Sequence, residues 1–134
     1  MRKLHVVSLF VWLSLLSLGL ATTARAGVPE DLAAFKAAAT ELKAKMASIT
    51  NEATARANVA ALEAAINKYN QAGTTLDASL SILDRTQEAA AKTYQSTATE
   101  MQTASQSLAD EQIRLLSAPP IASVVAPKLN TLRK

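Results

Sequence analysis

The side chains able to do acid–base, nucleophilic or metal chemistry are few in this sequence, and they are badly spaced for it. Its one histidine, His5, lies in an apolar run near the amino terminus, and there is no cysteine. That removes the usual nucleophile–base pairs, thiol chemistry and nearly all zinc or copper sites from the rest of the chain. Beyond Gly19 only Gly27 and Gly73 remain, too few for a phosphate-cradling loop, and the Asp-x-Asp-x-Asp-Gly pattern of a calcium loop is missing. Paired carboxylates are the one catalytic option left, at Glu30-Asp31 and Asp110-Glu111. Adjacent residues on a helix point apart, and each pair sits where helix capping or ion pairing explains it. The expectation is no catalytic residue, no cofactor-binding residue, no metal ligand, and no enzymatic activity. Tyr69 and Tyr94 could stack a ligand. Both fall on apolar stripes, however, and are expected in the core with their hydroxyls at its edge.

The one histidine belongs to a segment with its own logic. Arg2 and Lys3 precede a nearly continuous apolar run from Leu4 to Leu20, and Ala24-Arg25-Ala26 places small residues where a signal peptidase reads. Residues 1–26 are therefore expected to be a secretory signal peptide, cut after Ala26 and recognised through Ala24 and Ala26. An uncleaved membrane anchor is the competing reading, since the run is about long enough to span. With the leader go Arg2, Lys3 and Arg25, leaving 11 basic and 11 acidic residues from a chain whose formal charge is +3. The basic balance is thus a property of the leader, and no clustered basic face supports nucleic-acid binding. Residues 27–134 are one domain's worth of chain, without a disulfide to staple it.

The elements that hold the remaining residues in place are helices. Val28, Leu32, Phe35, Ala39, Leu42, Met46 and Ile49 recur at alternating steps of four and three, behind a Pro29-Glu30-Asp31 helix start. Glu41 and Lys45 are spaced for an i, i+4 pair within that helix. The chain turns near Ser48–Asn51, where Thr50 or Asn51 can cap the next helix, and Glu52 stands four residues before Arg56. Ala55, Val59, Leu62, Ile66 and Tyr69 form a second stripe, with alanines between that allow close antiparallel approach. Gly73 is the expected left-handed end of this helix.

Thr74 to Arg85 carries Leu76, Leu80 and Leu83 at helical spacing. It reads as a lid over the bundle end, with a break near Asp84–Thr86. The alternative is a third helix running unbroken from about Thr75. From Thr86 to Ser117 there is neither Gly nor Pro, and Tyr94, Ala98, Met101, Ser105, Leu108, Gln112 and Leu115 share one face. Such a helix is roughly 45 Å long. Its outer surface is polar with few charges, dominated by Thr93, Gln95, Ser96, Thr99, Gln102, Thr103, Gln106 and Ser107. Glu88–Lys92 and Asp110–Arg114 are spaced as i, i+4 pairs. Pro119 and Pro120 end the helix. Ile121, Val124, Val125, Leu129 and Leu132, interrupted by Pro127, make an apolar tail expected to fold back on the bundle. Partner binding or membrane contact is the other use for such a tail.

The segment Asn51-Glu52-Ala53-Thr54-Ala55-Arg56-Ala57-Asn58 with Leu62 and Ile66, and the later Tyr94, Met101, Leu108, Glu111 and Arg114-Leu115 before a proline and apolar tail, carry a resemblance. Over residues 28–132 the chain is similar to uncharacterised small, Ala-rich exported helical proteins of planctomycete-type bacteria. That resemblance implies a compact helical fold and export, and it implies no activity and no functional residue.

The sequence therefore predicts an all-α protein: an antiparallel three-helix bundle with helices at about 29–48, 51–71 and 86–117 and a short apolar C-terminal tail. The predicted core is Leu32, Phe35, Leu42, Met46, Ile49, Val59, Leu62, Ile66, Tyr69, Tyr94, Met101, Leu108 and Leu115. The expected role is non-enzymatic: an exported binding or structural component of the periplasm or cell envelope, with an unknown protein or envelope partner and no nucleic acid. Self-assembly into a coiled-coil-like homo-oligomer is the second expectation. The third is membrane attachment, by an uncleaved leader or by the tail.

Overall fold

The computed structural model describes residues 27–133. The signal-peptide and anchor readings of residues 1–26, with Ala24 and Ala26, lie outside the described residues. Within them the chain is helical, with α1 at Val28–Ala47, α2 at Glu52–Ser81, α3 at Glu88–Leu116 and α4 at Pro119–Leu129.

The start of α1 follows from Pro29 in its first turn and the carboxylates of Glu30 and Asp31 at the positive end of the helix dipole. Asn51 caps α2: its side chain accepts from the Thr54 amide at 2.8 Å, while the Thr54 hydroxyl accepts from the Asn51 amide at 3.0 Å. So short a connection returns α2 antiparallel along α1. The Ser79–Asp31 hydrogen bond near one end and the Lys68–Glu41 ion pair at 2.6 Å in the middle fix that register.

α3 runs parallel to α1, since Lys36 reaches Glu100 and Arg114 reaches the carbonyls of Met46 and Ile49. α4 turns back along α2, where Lys128 meets Glu63 at 2.8 Å. α1 and α4 each pack on both α2 and α3. α4 therefore lies across the core from α1, and it covers only the half of the bundle near the α1–α2 turn. Tyr69, Phe35, Leu42, Met46, Ile49, Leu62, Ile66, Leu76, Leu108, Leu115, Val125 and Leu129 are the large side chains fully buried between the helices.

Three sequence expectations change. The second helix does not end at Gly73: it continues two more turns to Ser81, and Gly73 keeps a helical, negative φ. The reason is legible in the spacing, for Leu62, Ile66, Tyr69, Gly73, Leu76 and Leu80 continue one 4-3 stripe without a break. Leu76 and Leu80 are core residues of α2 and form no lid. The break expected near Asp84–Thr86 is present, at residues 82–87, so α3 is not continuous from Thr75. It opens after Gln87 with no side-chain cap, while Asp84 instead accepts from the amide and hydroxyl of Thr86 in a local turn.

The tail folds back on the other helices as expected, and the third change is that it does so as a helix, α4. Pro119 and Pro120 stop α3 and then occupy the first turn of α4, where a missing N–H costs nothing. Ile121, Val125 and Leu129 face the core at steps of four. Pro127 and Ser123 both lie on the exposed side of α4, so the Ser123 carbonyl that Pro127 strips of a partner is not buried in the core.

Candidate functional site

The carboxylate pairs do not converge. Glu30 is exposed, whereas Asp31 is buried and accepts a short hydrogen bond from the Ser79 hydroxyl, which ties the first turn of α1 to the last turn of α2. Asp110 is exposed and makes no ion pair among the described residues. Its expected partner Arg114 pairs with Glu111 instead, through Nε at 2.9 Å. The same guanidinium donates to the Ile49 carbonyl, just past α1, at 2.9 Å and to the Met46 carbonyl at 2.8 Å, which also accepts from the Ile49 amide, so it secures the turn that closes α1. Glu41 likewise pairs with Lys68 of α2 and not with Lys45. That hydrogen bond and charge hold the Glu41 carboxyl below its ordinary range. Asp84 is lowered too, by the donors of Thr86. The Glu52–Arg56 and Glu88–Lys92 pairs form at the expected spacing. Among the described residues no group of three His, Cys, Asp or Glu is placed to hold a metal ion.

The tyrosines are packing residues. Tyr69 is buried with its ring tilted 35° to that of Phe35 at 4.9 Å, and its hydroxyl shares a 2.8 Å hydrogen bond with Ser105 of α3. Tyr94 is half-buried, and Arg85 from the α2–α3 turn lies over its ring at 4.0 Å. Of the other core candidates, Phe35, Leu42, Met46, Ile49, Leu62, Ile66, Leu108 and Leu115 are buried, while Leu32, Val59 and Met101 are half-buried. Leu76, Leu80, Ile121, Val125 and Leu129 complete the core from segments read as lid and tail.

A polar clamp secures the C-terminal segment. Asn70 donates to the Thr131 carbonyl at 2.8 Å and accepts from the Arg133 amide at 2.9 Å. The Arg133 guanidinium crosses Gly73 to reach Asp77. No sequence spacing announces this clamp, because its members are more than 50 residues apart.

What is left as surface chemistry is the outer face of α3. Gln95, Ser96, Thr99, Gln102, Thr103 and Gln106 are exposed there. The hydroxyls of Thr93, Ser96, Thr99, Thr103 and Ser107 donate back to helix carbonyls three or four residues earlier. Their donors are already used, so the face offers hydroxyl oxygens as acceptors, threonine methyl groups and the free amides of the glutamines. At its C-terminal end the face meets Ile113, 63% exposed.

Comparison with protein-family models, with curated proteins and with solved structures finds no match for this chain.

Proposed function

We propose that this chain is a non-enzymatic, exported component of the periplasm or cell envelope that binds another macromolecule through its helical surfaces. In this reading residues 1–26 are removed as a signal peptide and α1–α3 form a three-helix body, with α4 docked on one half of it. The observation that carries the reading is the outer face of α3. It is long, carries few charges and is lined by glutamine amides with no partner among the described residues, on a molecule whose tyrosines and several of whose carboxylates (Asp31, Glu41, Glu63, Asp77, Glu100) hold one segment to another.

The basic residues support the exclusion of nucleic acid, because seven of the ten described (Lys36, Arg56, Lys68, Lys92, Arg114, Lys128 and Arg133) are each matched to a carboxylate, leaving Lys43, Lys45 and Arg85 without one. Among the described residues no helix is long and apolar enough to cross a membrane. The apolar residues of α4 are spent inside the bundle, which leaves the leader as the route to membrane attachment.

Two measurements test the reading. N-terminal sequencing of the exported protein is expected to begin at Gly27. Capture from envelope extracts is expected to retain a partner that the Gln95→Ala/Gln102→Ala/Gln106→Ala variant loses. Equal capture by both forms, or by neither, sinks the proposal.

A further inference from the structure

We infer that the outer face of α3 docks against the same face of a second copy of this chain, antiparallel and about a two-fold axis. The inference rests on the reading of this face as a binding surface, and it names the partner. At 3.6 residues per turn, Glu88, Lys92, Gln95, Thr99, Thr103, Gln106, Asp110 and Ile113 lie along one line of α3, directly opposite the buried Thr97, Leu108 and Leu115.

That line is complementary to its own reverse. When Thr99 is placed against Thr103 of the second copy, Gln95 falls against Gln106 of the second copy. Lys92 falls against Asp110 of the second copy. Symmetry repeats each pairing on the other side of the axis. The charge pattern matters most. Asp110 is the carboxylate of this face without an ion pair among the described residues. Among the described residues Lys92 pairs only with the exposed Glu88, one turn away. The same register lays exposed Ile113 over exposed Ala89 and the stem of Glu88 of the second copy, covering apolar surface at both ends. In the parallel arrangement Lys92 meets Lys92, and Asp110 meets Asp110, and the complementarity is lost.

The test is sedimentation equilibrium of the protein as isolated, alone and as charge-reversed variants. The wild type is expected to show a concentration-dependent monomer–dimer equilibrium. Lys92→Glu and Asp110→Lys each replace two attractions by two repulsions per dimer. Each is expected to weaken association by about tenfold at low salt. The double variant Lys92→Glu/Asp110→Lys is expected to return association to within about threefold of wild type, since the pair is restored with its signs exchanged. Both side chains are exposed, so circular dichroism at concentrations where each form is monomeric should keep the wild-type helix content and separate docking from folding. A strictly monomeric wild type overturns the inference, and so does a dimer indifferent to the single reversals or a double variant as weak as the singles. Envelope capture is a separate readout: a monomer that still retains its partner ends the dimer and leaves the proposed function standing.

Discussion

The guanidinium of Arg133 occupies the space a side chain would fill at Gly73: a Cβ built there stands 1.7 Å from Nη1 of Arg133. Gly73 is therefore kept small in the middle of α2 by a residue 60 positions later, and its conformational freedom is not used, since its φ is helical. Two effects oppose one another at this position. Alanine in a helix interior is favoured over glycine by about 1 kcal/mol. Against that, the methyl group displaces Arg133 from Asp77. Gly73→Ala is expected to raise stability by about 0.5–1 kcal/mol in an Arg133→Ala chain and to give none of that gain in the wild type. Urea unfolding of the four members of this cycle measures the coupling; equal effects of Gly73→Ala in both backgrounds would refute the contact.

Leu76 tests where α2 ends. It is fully buried, whereas Ile82, just past the end of the helix, is 64% exposed. Leu76→Ala is expected to cost about 2–5 kcal/mol by leaving a cavity in the core. Ile82→Ala should stay within about 0.5 kcal/mol. Thermal unfolding decides between a core helix and a lid, because a lid predicts small and similar losses at both sites.

The same residues mark how far the sequence can be read. Periodicity revealed α1, the first part of α2 and α3, because their apolar residues repeat along one face. Gly73 misled because a glycine after a helical run is a good stop signal on local grounds, and only the distant Arg133 explains it. In sequence α4 reads as a tail because Pro119, Pro120 and Pro127 look like breakers. Two of them start a helix, and the third stands on its wet side. The partners of Glu41 and Arg114 were assigned within their own helices by i, i+4 spacing. The tertiary structure offered them Lys68 and the end of α1 instead, which no local spacing encodes.

Arg114 closes α1 from another helix. Losing two charge-assisted hydrogen bonds to the Met46 and Ile49 carbonyls is worth more than losing a solvated ion pair. Arg114→Met is expected to destabilise by about 1–2 kcal/mol, against about 0.3–0.5 kcal/mol for Arg56→Met, which removes only the i, i+4 pair with Glu52. Denaturant midpoints of the two variants provide the comparison, and equal losses would mean that the cap contributes nothing.

Asp31 and Ser79 form the polar contact buried between α1 and α2. Ser79→Ala leaves a buried carboxylate without its hydroxyl donor and is expected to cost about 1–3 kcal/mol. The Asp31→Ala/Ser79→Ala chain removes the need along with the donor, so its loss should fall short of the sum of the single losses. Additive losses in urea unfolding would show that the two side chains do not act as a pair.

Glu41 gives the fold an acid dependence with a definite sign. Lys68 lowers its carboxyl pKa in the folded chain by hydrogen bonding and charge. The unfolded chain therefore binds the proton more readily. The contribution of Glu41 to stability is present above the ordinary glutamate pKa and disappears as pH falls through the lowered one. Carboxyl NMR titration is expected to place Glu41 below the usual range in the wild type and to move it upward in Lys68→Met. Because both side chains stand in water, added salt should shift the wild-type value in that same upward direction. A Glu41 titration unchanged by Lys68→Met would show that the pair across α1 and α2 does not persist in solution.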